Sequence, residues 1–365
     1  MTLGNIGRGI RDAITGSITG AGSVVESTID AARNSTINAL RTSKETLTGI
    51  EELVRDVIKG AIQATNDVGT ELASTVKGSV IGIIRGAGEV STVTVGVVSD
   101  TVRAAIRGTG EVGGDVATVA RGAAEGAMET TKSLGLRAED MAFSVAQGAI
   151  QGTRDVGGDL ASTAKDTIKG TITGTQEVGG SVIEAVEDSA RGLVSGASNV
   201  GGDVASVTRS AMEGAIAATG SVSVKLQDAA FSAARGTIHG ARDVGGDLGA
   251  TARDAISGTI TGTHQVSGNV VSALEDSARG LVKGTAEVGG DVANVARNAV
   301  ESAIEGAKQI GVRAEDAASA TANGAVSAAG AFGETTVKAV TDAVSGTISG
   351  ITVVLRAPYK NDDRS

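Results

Sequence analysis

Cysteine is absent from the 365 residues, which excludes a disulfide framework and every thiolate metal site. Tryptophan is absent too, and the aromatics amount to Tyr359 and three phenylalanines, Phe143, Phe231 and Phe332. Rings normally supply much of a compact core's buried area, so any core here has to be shallow and aliphatic. The one proline, Pro358, lies near the end of the sequence, and the rest is kept free of the residue that breaks helices and sheet ladders. No stretch approaches the ~18 apolar residues of a membrane-spanning helix. The opening Met1-Thr2-Leu3-Gly4-Asn5-Ile6 lacks the charged-then-apolar pattern of a signal segment.

Basic clusters are missing as well. The 32 basic and 42 acidic residues are finely interspersed for a net charge of −10, which leaves no patch to track a phosphate backbone and makes nucleic acid an unexpected partner. Together these absences predict a cytoplasmic protein, free or peripheral on lipid droplets or membranes.

What the sequence does have is repetition. Read from Arg235, it divides into RGTIHGARDVG, GDLGATARDAI, SGTITGTHQVS, GNVVSALEDSA, RGLVKGTAEVG and GDVANVARNAV, each of eleven residues. The frame extends without insertion or deletion from Gly4 to Leu355, thirty-two units in all. A Val-Gly-Gly-Asp quartet starts at Val112, Val156, Val200, Val244 and Val288, 44 residues apart, with a Val-Gly-Thr-Glu variant at Val68. Alternate quartets match best, which gives three 88-residue copies, 59–146, 147–234 and 235–322. They are flanked by N-terminal undecads (1–58), C-terminal undecads (323–355) and a polar tail (356–365).

Eleven residues over three turns is about 3.67 per turn, close to the α-helical period. On that wheel Thr237, Ile238, Ala241, Val244 and Gly245 share an apolar face, while Arg235, His239, Arg242 and Asp243 share the opposite one. The competing β-solenoid is suggested by Gly, Thr, Val and Ile at fixed positions. Runs such as ALEDSARGLV show the helical period and not alternation. The expected fold class is therefore all-α: long amphipathic helices, either continuous or turned at the glycine pairs into hairpins of helices about 40 residues long. The candidate hinges are Gly113, Gly114, Gly157, Gly158, Gly201, Gly202, Gly245, Gly246, Gly289 and Gly290, with the following Asp as N-cap.

Glycine also makes the helix conditional. The 54 glycines are spread along the whole chain, and at about 1 kcal/mol each relative to alanine they cost on the order of 50 kcal/mol. Each undecad offsets this with about two bulky aliphatics, worth roughly 1.5 to 3 kcal/mol apiece once buried. The stripe must be covered, by lipid or by other helices of the same kind. Its candidate contact residues are Ile150, Val156, Leu160, Ile172, Val178, Leu193, Val194, Val200, Val204, Ile238, Val244, Leu248, Ile260, Val266, Val282, Val288 and Val292. Met141, Phe143, Leu226 and Phe231, where bulk concentrates, are candidate anchors or inter-helix contacts. Small-xxx-small pairs such as Gly236/Gly240 and Gly280/Gly284 would let helices approach closely.

Unbroken undecads, Gly, Thr and Val content, few aromatics and units such as KGTITGTQEVG (169–179) resemble the repeat regions of perilipins and synucleins. The resemblance implies a chain disordered in solution that folds into long amphipathic helices on lipid-droplet or vesicle surfaces. The lysine-rich KTKEGV core of synucleins is missing and the chain is acidic, which points to neutral lipid over anionic membrane. Late-embryogenesis-abundant proteins also share undecads and conditional folding, and would imply stress protection. Their repeats are more hydrophilic than a mean hydropathy of +0.11.

Enzyme chemistry finds little foothold. Gly108, Gly110 and Gly113 match Gly-x-Gly-x-x-Gly, but within an undecad and not after a strand. His239 and His264 fall on the polar side of the wheel, and the pairs Glu187/Asp188 and Glu275/Asp276 read as solvated faces. The expectation is a non-enzymatic protein with no cofactor and no small-molecule substrate. It coats a hydrophobic surface, or self-assembles as a helical structural or filament protein, or protects against stress.

Overall fold

A computed structural model describes residues 5–18, 24–43, 50–68 and 71–356, and these are almost wholly helical. The first half contains α1 (Asn5–Ile18), α2 (Val24–Ser43), α3 (Ile50–Val68), α4 (Leu72–Val90), α5 (Val95–Glu111), α6 (Val116–Leu134), α7 (Ala138–Asp155) and α8 (Leu160–Glu177). Then come α9 (Val182–Asn199), α10 (Val204–Ala218), α11 (Leu226–Asp243), α12 (Leu248–Gln265), α13 (Val270–Glu287), α14 (Val292–Ile310), α15 (Ala314–Ala329) and, after a 3-10 turn, α16 (Glu334–Val344). A short hairpin, β1 (Gly346–Ile348) and β2 (Ile351–Val353), follows. The tail beyond Arg356 and residues 69–70, which follow Val68 of the variant quartet, lie outside the described residues.

The helices are 11 to 20 residues long, half the expected length or less, so the described residues form neither one continuous helix nor hairpins of 40-residue helices. At each glycine pair the expected turn is made: Gly157 is left-handed (φ 66°), Gly158 N–H reaches back to the Thr153 carbonyl (2.9 Å), and Asp159 accepts from Ala161 N–H (3.0 Å). The same device works at most positions halfway between the pairs, the turn before α11 being an exception. Gly135, Gly179 and Gly311 are left-handed, Ser267 takes that conformation at φ 53°, and Ser181 and Asn269 supply the caps that Asp supplies elsewhere. From Val116 to Ala314 a new helix therefore begins every 22 residues, two undecads.

Two reversals bring each helix back parallel to its second neighbour, and that is where it packs most. Odd-numbered helices form one layer and even-numbered helices the other, a two-layered α-solenoid in which consecutive helices touch across the core. Within a layer the approach is close because glycines face the backbone of the preceding parallel helix. A methyl carbon at Gly174 would stand 2.6 Å from the Glu125 carbonyl oxygen, and one at Gly240 2.5 Å from that of Arg191. Gly126, Gly152, Gly170, Gly192, Gly236 and Gly280 meet carbonyl oxygens in the same way.

The core is shallow, as the lack of rings requires. It is built of Ala, Val and Ile in overlapping clusters that pass from helix to helix, one from Ala32 to Ala185, one from Ala146 to Ala317 and one from Val282 to Val353. The borders at 146/147, 234/235 and 322/323 fall inside α7, α11 and α15. Many of the threonines buried among the aliphatics donate to carbonyls one turn back, as Thr153 does to Ala149 (2.9 Å) and Thr285 to Leu281 (2.7 Å), while the hydroxyls of Thr167, Thr208 and Thr263 are buried without a partner. The undecad frame predicts helix to Leu355, yet 346–353 form an antiparallel hairpin. Ser349 and Gly350 both have positive φ (48° and 80°), the geometry of a two-residue hairpin turn, and Ile348, Ile351, Thr352 and Val353 are β-branched.

Candidate functional site

The apolar stripe turns inward. Ile150, Ile172, Leu193, Val194, Ile238, Ile260 and Val282, in the middles of helices, are fully buried. Val156, Leu160, Val178, Val200, Val204, Val244, Leu248, Val288 and Val292 sit at helix ends and are half-buried over the turns, and Val266 is 36 % exposed. The mid-helix residues expected to meet an external surface are thus held together against one another.

Of the anchors, Met141 is fully buried, while Phe143, Leu226 and Phe231 are half-buried. The rings are covered by cations from the next parallel helix: Arg191 lies 5.5 Å from the centre of Phe143, and Arg279 and Lys283 lie 5.8 and 5.6 Å from that of Phe231. Beside Phe143 a cavity of about 310 Å³ is lined by Val95, Glu139, Asp140, Ser144, Asp188 and Arg191. Burial and then the neighbouring Glu187, Glu139 and Asp140 push the Asp188 carboxyl up to about 6. Asp276, 88 residues on, is raised by burial too. The carboxylate pairs are therefore half-buried, not the fully solvated faces expected. His239 also departs from expectation: its side chain is 17 % exposed, with Nδ1 3.4 Å from Glu187 and Nε2 3.2 Å from Glu287. Gly108 and Gly110 lie at the end of α5 and Gly113 in the turn beyond, so no strand leads into that motif.

Charged seams run between parallel helices. Lys77, Lys165 and Arg253 pair with Glu125, Glu213 and Glu301, the same ion pair in each 88-residue copy. The spacing was readable in the sequence, because 77, 165 and 253 differ by 88, but only parallel packing explains a partner 48 residues away.

The first copy of this seam is the densest. Lys77 Nζ on α4 lies 2.6 Å from Glu125 and contacts Glu129, both on α6, and it lies 2.9 Å from Glu177 on α8. The three carboxylates have oxygens within 4.8 Å of one another, close enough to share a cation. Lys77 fills that role: burial opposes its charge, but hydrogen bonds to all three glutamates hold its pKa above the usual lysine range. Burial and the contact with Glu177 push Glu129 up to about 7, so of the three carboxyls it holds a proton most readily. Burial works against Glu177's charge, yet hydrogen bonds from Glu129 and Lys77 hold its pKa below the ordinary carboxylate value. In the second copy Ala217 and Gln265 stand in place of Glu129 and Glu177, and Lys165 keeps Glu213 (3.0 Å) and Gln265 (3.2 Å) as partners.

No helix among the described residues is long and apolar enough to cross a membrane. No protein-family model matches the chain, and no curated protein matches it.

Proposed function

We propose that this chain is a non-enzymatic structural protein, an α-solenoid whose apolar stripe serves to hold its own helices together and whose charged seams face outward. The observation that carries this reading is the complete burial of Ile150, Ile172, Leu193, Ile238, Ile260 and Val282 against neighbouring helices. A helix that covers its own stripe needs no lipid to be stable. The charged clusters support the same reading, because their groups tie one helix to the next and are spent on each other.

A second reading, that the chain opens and coats a neutral-lipid surface, is supported by the shallowness of the core. Alanine, valine and threonine in a Gly-rich helix leave little buried area per residue to resist unrolling at a turn. Far-UV circular dichroism at two protein concentrations, with and without a neutral-lipid emulsion and anionic vesicles, separates the two. The structural reading expects strong helical signal in buffer, unchanged by lipid. A coil that becomes helical only with emulsion would overturn it in favour of the coat, and helix gained only on drying would favour stress protection.

A further inference from the structure

Each helix of the odd layer offers a row of backbone on which the next parallel helix seats its glycines. Gly236 and Gly240 sit on Glu187 and Arg191 of α9, Gly280 and Gly284 on Phe231 and Arg235 of α11, and Gly324 on Glu275 of α13. Stepping 44 residues on from Glu275 and Arg279 leads to Ser319 and Asn323 of α15. By the same register this is where a further helix would dock. A strand lies there instead. Val354 N–H donates to Ser319 Oγ (3.0 Å), Asn323 Nδ2 donates to the Val354 carbonyl (3.3 Å), and Arg356 N–H donates to Asn323 Oδ1 (2.7 Å). The Arg356 guanidinium reaches on to Glu275 (3.0 Å), and Ile348 and Val353 are buried with Ala318, Ala322 and Ala325.

We propose that the C-terminal hairpin is a stopper, which fills the helix seat on α15 and so keeps it from accepting the glycine face of α1 from a second copy of this chain. Complementarity names the occupant. The seat is lined with alanine and polar side chains of one turn's spacing, a surface that elsewhere in this molecule takes a glycine-bearing helix of the same sequence type. On α1 a methyl carbon at Gly9 or Gly16 would meet nothing within 4 Å, and Gly16 stands 44 residues before Gly60, which seats on Gly7. In the even layer the matching joint is poor, because Asn34 and Asn38 of α2 replace the Gly78 and Gly82 of α4. Chains joined through the odd layer alone would associate head to tail, an open and concentration-dependent arrangement. The hairpin is suited to being displaced, since two strands of three residues are marginal on their own.

The proposal rests on the self-packing reading, and the two fail in different ways: loss of that reading appears as coil in buffer, loss of the stopper as helix without a change of mass. The test is sedimentation velocity over a range of concentrations, with circular dichroism, on the full chain and on the same chain carrying Ile348→Asp and Val353→Asp. The parent is expected to keep one mass, and the released variant to at least double its weight-average mass with helix retained. Adding Gly16→Arg to the released variant should restore the parent's mass. A released variant that stays helical and monomeric overturns the proposal, as does a parent that associates equally or an association that survives Gly16→Arg. If the double substitution loses helix, Asn323→Ala, which removes two of the hydrogen bonds to the strand, is read by the same criteria.

Discussion

At the scale of single residues, glycine changes its meaning once the fold is known. Counted along an isolated helix, it is a propensity cost; within the solenoid it is the residue that lets parallel backbones meet at carbonyl distance. Gly236/Gly240 and Gly280/Gly284 were legible as close-approach pairs, but their partners were not, because nothing in a one-dimensional pattern says that residue 240 meets residue 191. Gly240→Ala is expected to lose ~1 to 3 kcal/mol through overpacking. Gly330→Ala, where an added methyl meets nothing, is expected to stay within ~0.5 kcal/mol of the parent. Urea unfolding of the two variants checks this, and equal midpoints would mean that the close approach at Gly240 is not made.

At the scale of elements, helix boundaries follow from cap chemistry that a repeat search at 44 residues catches only in part. Val-Gly-Gly-Asp announces a left-handed glycine and an N-cap together, so those five turns were legible. The turns at Gly135, Gly179, Ser267 and Gly311 use the same backbone with less uniform residues, which hid half of the reversals and doubled the expected helix length. Ser267 is the exposed weakness of this scheme, a β-carbon held at φ 53° where the other left-handed turns between α5 and α15 use glycine. Ser267→Gly should raise stability by ~1 kcal/mol, the cost of a left-handed L-residue, measured as a higher melting temperature. A lower one would show that the serine side chain contributes more than its conformation costs. The hairpin at 346–353 escaped the undecad frame for a related reason: Ser349-Gly350 keeps the small-residue composition of the repeats while carrying a hairpin turn's dihedrals.

At the scale of the whole molecule, ionisation sets a preference for mild acid. Glu129 and Asp188 have pKa values raised to about 7 and about 6, and Asp100 and Asp276 are raised by burial as well. Such groups bind protons more tightly folded than unfolded, so their stabilisation is complete below the ordinary carboxylate range and is lost as pH climbs through their folded values. The N-caps act in the opposite direction. Hydrogen bonds from Thr118, Ser162 and Ser206, with backbone N–H groups, lower Asp115, Asp159 and Asp203, whose stabilisation fades as pH falls through those depressed values. Melting temperature should therefore peak in mild acid and decline between about pH 5 and pH 8, and Glu129→Gln should flatten that decline. A decline of unchanged slope in Glu129→Gln would remove Glu129 as its source.

The layered, parallel arrangement itself is open to one direct measurement, eased by the absence of native cysteine. Lys165 and Glu213 form an ion pair across α8 and α10, 48 residues apart in sequence. Along a continuous helix the same two positions would be about 70 Å apart. With Lys165→Cys and Glu213→Cys spin-labelled, pulsed electron–electron resonance in lipid-free buffer is expected to give a single short distance, that of adjacent helices. A distribution centred near about 70 Å, or one as broad as an unfolded chain's, would contradict the solenoid.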